Sequence, residues 1–446
     1  MPLELDDLVA SVKSATKEHA RRGELKPGVA PYIRYKVSAD FAYGENGVVA
    51  NGGMTGIPFQ KLDWTYAGSI VTREILQTPE FTAAAKALAG IAASPELIDT
   101  FLSNFVLRLA TKFAGDEISD DHLTDETDRF VDSISPGPKQ CGAKVELLGL
   151  ILRKEQVELP GVLIRQTRRE DLEKEMLNFP QTLEPVGVPY PSAIADIKLI
   201  GSIQELHDTA VPKLVTMLRL FVVAGVKHRG YRAFCGPALS NGGTSRHPGD
   251  SSMPMISAPI RPEDEPRLKR FWEEVGRALP KHLYQIQPQK VDHLLVAYER
   301  YCAGLLRRDI FEERVANAVM GLEALFLEER QELTYRCRLR VARAMSYLCE
   351  DPKDVFHLLA DAYEARNHFA HGDRLPKKKR IAMESKYKDP ERIYRGVMSY
   401  LRKALVATIL GGVQKHKLIQ LIDDSLVDPG CGEGIAAFFA PAEDVV

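Results

Sequence analysis

The stretch Val355-Phe356-His357-Leu358-Leu359-Ala360-Asp361-Ala362-Tyr363-Glu364-Ala365-Arg366-Asn367-His368-Phe369-Ala370-His371-Gly372-Asp373 decides how the C-terminal third is read. Val355, Leu359 and Ala362 recur at helical spacing, and the stripe runs on through Arg366 to Phe369 and Ala370. Arg366 therefore stands where a leucine would pack. A guanidinium is always charged and carries five donors, so a packing face is a costly place for it unless a partner or an anionic ligand meets it there. Gly372-Asp373 reads as the helix stop, which puts His371 in the last turn, where the macrodipole favours imidazolium. Asn367 and His371, four apart, share a face, whereas Arg366 and His371 lie about 140° apart around the axis. One helix does not gather all three. Two copies about a two-fold axis could, each lending its Arg and His to one cleft.

An arginine followed five positions later by a histidine can grip and cleave a phosphodiester without a metal. Structural readings stand beside this one. Arg366 can form an ion pair near Glu364 or with Glu323 across a bundle, and His371 can serve only as a C-terminal helix cap. Glu323, between Leu322 and Ala324 on a very apolar segment, reads as half of a buried pair with Arg340 or Arg343.

From Pro262 onward the pattern is almost wholly helical. Helices are expected over Pro262 to Ala278, Val291 to Leu306, Ile310 to Leu327, Leu333 to Leu348, Lys353 to His371, Pro390 to Leu410 and Lys415 to Val427. Between them lie prolines at 262, 280, 352 and 390, Gly411-Gly412, and a short polar turn at 328–332 suited to antiparallel neighbours. Residues 429–446 read as a tail. Arg374 and the run Lys377-Lys378-Lys379-Arg380 follow the motif helix and are candidates for an RNA approach, or simply a solvated basic loop.

The segment from about Pro262 to Asp428 resembles the Apea-like HEPN domains, a bacterial branch of a helical superfamily of ribonucleases and nucleotide-binding proteins. The resemblance rests on Arg366-Asn367-His368-Phe369-Ala370-His371 with Gly372, preceded in order by Gly321-Leu322-Glu323-Ala324-Leu325-Phe326 and by Leu339-Arg340-Val341-Ala342-Arg343-Ala344. It implies a metal-independent endoribonuclease whose paired motifs form one site in a homodimer or a higher even oligomer. By that resemblance Arg366 holds the scissile phosphate, His371 acts as general acid or base, and Asn367 positions one of them. Glu323, Arg340 and His368 are possible supporting residues. The chemistry needs RNA and leaves a 2′,3′-cyclic phosphate. Related architectures fuse such a domain to a regulatory one, as toxins or antiphage effectors. The alternative within the family is a non-catalytic HEPN module that binds a nucleotide or RNA and serves assembly.

The remainder of the chain is expected to be α+β overall. Residues 1–135 read as mainly helical, with amphipathic runs from Leu3 to Ala20 and Pro79 to Phe113 around the glycine-rich stretch Tyr43 to Gly56. Ser135-Pro136-Gly137-Pro138 is the clearest break. In the mixed 136–258 region, strands are expected at Lys144 to Leu152, Val157 to Arg165 and Gly230 to Cys235, with a helix from Ile203 to Phe221. Residues 240–250 read as loop. The bundle is expected to occupy 259–428.

Composition sets outer limits. The chain of 446 residues, 45% hydrophobic and 27% charged, suits a globular protein of several domains. A net charge of −2 argues against a general nucleic-acid coat protein, whereas a nuclease for a particular RNA needs only a local basic patch. Six scattered cysteines without a C-x-x-C pair favour neither a zinc site nor a disulfide framework, and no metal or cofactor is expected. The acidic start Met1-Pro2-Leu3-Glu4-Leu5-Asp6-Asp7 lacks the apolar core of a signal peptide, and no run approaches a membrane span, so the expectation is cytoplasmic. There is no G-x-x-x-x-G-K-[ST], and the acidic run Asp120 to Glu126 reads as a solvated helix entry.

Overall fold

The computed structural model describes strand backbone between residues 32 and 59 and most of 79–105 and 125–134. From there it describes residues 139–172, 191–235, 245–249, 256–306, 310–329, 331–389 and 391–446. The protein is α+β, with an antiparallel sheet in the first half and a helical C-terminal region.

The first 135 residues hold more strand than their composition suggests. β1 (Tyr32–Val37) pairs with β4 (Met54–Phe59), enclosing the pair β2 (Asp40–Gly44) and β3 (Gly47–Asn51), so the glycine-rich stretch read as a separator between helical runs carries strand. The glycines at 44, 47, 52, 53 and 56 look like a linker, yet β-branched and aromatic residues between them suit hairpins. Helix α1 (Pro79–Ala89) follows, and its Phe81, Ala84 and Leu88 join Ile98, Leu102 and Phe130 in a small core. The run Leu3 to Ala20, the break at 135–138 and residues 120–124 lie outside the described residues.

A six-stranded sheet follows, in the order β11-β10-β5-β9-β8-β7. Its strands are β5 (Lys139–Leu148), β7 (Gln156–Leu159), β8 (Val162–Gln166), β9 (Ala193–Gly201), β10 (Lys227–Cys235) and β11 (Ser245–Pro248). The expected strand at 144–152 is broken at Gly149, whose φ of +79° and backbone contact with Gly225 leave no room for a Cβ. Beyond it, β6 (Leu150–Leu152) turns away to pair in parallel with β12 (Ala258–Ile260). The expected strand at 157–165 is a hairpin turning at Pro160-Gly161, and the expected loop at 240–250 contains β11. Cys141 is disulfide-bonded, which the scattered cysteines had not suggested.

Helical structure from Ile203 includes a π-turn at Leu206–Ala210 and leads into α2 (Val211–Phe221), whose buried Leu214, Met217, Leu218 and Phe221 share one core with Ala143 and Val145 of the sheet. The bundle then comprises α3 (Glu265–Ala278), α4 (His293–Leu306), α5 (Phe311–Phe326), α6 (Leu333–Ser346) and α7 (Pro352–Ala370). It continues through α8 (Lys377–Tyr387), α9 (Glu391–Gly411), α10 (Lys415–Val427) and α11 (Gly432–Glu443). Two of these were not anticipated: the basic run is helix α8, and the tail contains α11, whose Phe438, Phe439 and Ala442 are buried. Helix α5 is central, with Val315, Ala318, Val319, Leu322 and Leu325 all fully enclosed. It packs against α4, α7 and α9.

One hydrophobic core extends from Cys141 on β5 to Val445 after α11, so sheet and bundle are packed as a continuous interior. The junction is polar as well as apolar. Arg402 on α9, 6% exposed, donates to the carbonyls of Leu220 and Phe221, and Tyr301 on α4 donates to that of Arg219. These carbonyls belong to the unsatisfied last turn of α2, whose partial negative charge offsets a buried cation. Among the described residues no single helix is long and apolar enough to cross a membrane.

Candidate functional site

Helix α7 begins at Pro352, with the Asp351 side chain accepting from the backbone N–H groups of Lys353 and Asp354 at 2.8 and 3.0 Å. An N-cap aspartate followed by proline at the first helical position satisfies orphan donors and presets φ. Val355, Leu359, Ala362 and Tyr363 then bury one face, and Arg366 continues it. The guanidinium is 27% exposed and points into the α5–α7 contact, where its Nη2 donates to Glu323 Oε2 at 3.2 Å. Nη1 donates to Asn367 Oδ1 at 3.3 Å.

Neither contact saturates the group. Among the described residues, Arg366 Nε, Glu323 Oε1 and the Tyr363 hydroxyl are buried without a hydrogen-bond partner. Native interiors leave few such atoms, so three together mark a place where packing alone does not explain the chemistry. Burial pushes the Tyr363 phenol far above its usual range, and the Cys337 thiol and Glu323 carboxylate add to that. The hydroxyl lies within electrostatic reach of both but meets neither in hydrogen-bond geometry. Cys337 on α6 is itself pushed up to about 12 by burial. The result is a small polar seam, with Glu323 from α5, Cys337 from α6, and Tyr363 and Arg366 from α7.

His371 lies at the other side of the helix end. Its backbone N–H closes α7 onto Asn367 and His368, Gly372 adopts φ +77°, and Asp373 N–H donates to His368 O at 2.8 Å. This is a left-handed glycine termination, as Gly372 suggested. The His371 and Asn367 side chains are exposed and His368 is half-buried. Among the described residues no hydrogen bond joins Arg366 to His371, as their angular separation on one helix requires.

Of the pairings the sequence left open for Glu323, one is formed. Glu323 pairs with Arg366, not with Arg340 or Arg343. Arg340, 3% exposed, donates to Glu329, Asp423 and the Phe326 carbonyl, and Arg343 to Ser425. Arg340 is therefore a structural clamp at the end of the bundle.

The basic run also has a definite place. Lys379 pairs with Glu364 on α7, and Lys386 pairs with Asp361 at 2.6 Å. The later residue on α8 meets the earlier one on α7, so the two helices run antiparallel. The start of α8 lies beside the last turn of α7, where His371 sits. Arg374, Lys377, Lys378 and Arg380 are exposed there, while Lys379 is engaged with Glu364.

Tyr363 and Cys337 were not singled out from the sequence. Tyr363 stands three residues before Arg366 and shares its face, a signal that spacing contains. Cys337 had none, since only packing brings α6 to α7. Among the described residues no group of three or more His, Cys, Asp or Glu is placed to hold a metal ion. Compared with family models, curated proteins and solved structures, the chain has no significant match in any of the three.

Proposed function

We propose that the protein is a metal-independent endoribonuclease of the HEPN type, acting as a homodimer or higher even oligomer in a toxin or antiphage defence role. The observation that carries this reading is the polar seam. Arg366 occupies a packing position, has no hydrogen-bond partner for Nε among the described residues, and lies one turn before an exposed His371 flanked by the basic start of α8.

In that reading a two-fold pairing of α7 termini brings Arg366 of one copy to His371 of the other. Guanidinium N–H groups hold a non-bridging phosphate oxygen and stabilise the charge that develops on it. The adjacent 2′-hydroxyl attacks phosphorus as one imidazole takes its proton. The second imidazolium gives a proton to the departing 5′-oxygen. Products are a 2′,3′-cyclic phosphate and a 5′-hydroxyl.

The test is incubation of wild-type, Arg366→Ala and His371→Ala proteins with total cellular RNA in excess chelator, followed by mapping of fragment ends. Discrete cyclic-phosphate ends in wild type alone support the reading. Equal cleavage by His371→Ala would overturn it.

One observation favours a second reading. Glu323 partly neutralises Arg366 within a single chain, as expected if the seam only stabilises a non-catalytic HEPN module that binds RNA or a nucleotide for assembly. RNA retention without cleavage by purified wild type is the result that reading expects.

A further inference from the structure

The outer face of the sheet carries a cleft unrelated to the bundle. It is lined by Lys144 and Glu146 on β5, Ile194 on β9, Arg232 on β10, and by Asp171, Leu172 and Pro191. β5 lies between β9 and β10, and the register sets Lys144 directly beside both Asp196 and Arg232. Two cations thus occupy opposed positions on neighbouring strands, an arrangement that costs stability unless anions answer both.

Among the described residues only one of them is answered. Asp171 takes Arg165 through two bonds, at 2.7 and 3.2 Å, together with Lys144 and the Arg168 backbone N–H. Arg165 also bonds Asp196 at 3.0 Å. Despite its burial, the Asp171 carboxyl is held well below the usual carboxylate range by Arg165 and Lys144. Its oxygens are fully committed, so it has nothing left for Arg232. Arg232 itself is half-buried and makes no hydrogen bond or ion pair recorded among the described residues. A guanidinium in a cleft with an aliphatic wall of Leu172, Pro191 and Ile194 is a fork suited to carboxylate or phosphate.

We propose that this cleft binds a small organic anion, with Arg232 gripping a carboxylate or phosphate head and Leu172, Pro191 and Ile194 taking its apolar body. Lys144 supplies the second positive group, held in place by Asp171. Glu146 lines the same floor. The site belongs to the α+β half and is independent of the chemistry proposed for Arg366 and His371.

The experiment is calorimetric titration of the full chain with two probes of matched body, phenyl phosphate and benzoate. Arg232→Gln, Arg232→Lys and, as a control, Lys198→Gln are titrated alongside. Lys198 is exposed on β9, outside the cleft. Saturable binding of one probe by wild type is expected, and the better probe identifies the head group. Arg232→Gln should weaken it about tenfold or more, in keeping with loss of a charge-assisted bond. Arg232→Lys should fall between, because charge remains but the fork is lost. Circular dichroism melts verify that the variants fold. Absence of saturable binding of either probe to wild type overturns the proposal. So does equal weakening by Lys198→Gln, which would reduce the effect to general surface charge.

Discussion

Replacing Arg340 by Met should destabilise the bundle far more than an ordinary surface change. All five guanidinium N–H groups are used: Nε and Nη2 reach Asp423 at 2.8 and 2.7 Å, Nη1 and Nη2 reach Glu329 at 2.9 and 2.6 Å, and Nη1 reaches the Phe326 carbonyl at 2.9 Å. One side chain thereby ties the end of α5 to α6, α10 and the connecting turn. Removing one partner of a buried ion pair costs about 3–5 kcal/mol, because the other charge stays behind. Glu329 and Asp423 are 32% and 45% exposed, so water recovers part of that, and we expect about 2–4 kcal/mol at neutral pH. Arg340 holds the Glu329 carboxyl well below its usual range. A depressed folded value means the contribution is present above the unfolded carboxyl pKa of about 4.3 and is lost as pH falls through the folded value. Urea unfolding followed by circular dichroism at pH 7 and at about pH 3.5 reads both effects. A wild-type to Arg340→Met gap below about 1 kcal/mol at pH 7, or one that does not narrow in acid, refutes the clamp.

Tyr363→Phe should leave stability unchanged or raise it by up to about 1 kcal/mol, since the hydroxyl is buried without a hydrogen bond. A fall of more than 1 kcal/mol in the same urea assay would show that the hydroxyl has a partner. Lys377→Glu with Lys378→Glu should weaken RNA retention and reduce the slope of log affinity against log salt by about 1.4 for single-stranded RNA. Filter binding over a salt series measures this, and an unchanged slope removes the start of α8 from the RNA path.

Spacing alone delivered the bundle helices from α3 to α7, α9 and α10 to within a few residues, because each repeats apolar side chains every three or four positions. It failed at α8, where Lys377-Lys378-Lys379-Arg380 resembles loop. That helix has only a narrow apolar face, Met383 buried with Tyr387 packed against the core, and the pairs Lys379–Glu364 and Lys386–Asp361 tie it to α7 besides. The strands at 32–59 were missed because the glycines at 44, 47, 52, 53 and 56 read as a linker and because the β1–β4 partners stand 17 to 27 residues apart, beyond a local reading.

At the candidate site, the sequence determined that Arg366 stands on the packing face, that His371 ends the helix beside Gly372, and that one helix cannot bring them together. Each follows from helical geometry and from the backbone freedom of glycine. Tertiary structure alone decided that Arg366, rather than Arg340 or Arg343, answers Glu323 among the pairings the sequence left open, and that Tyr363 and Cys337 share its seam. It also set Lys144 and Arg232 side by side on the sheet. An ion pair depends on which helix faces reach each other within a few ångströms, and that is fixed by how the whole core packs rather than by residues near in sequence.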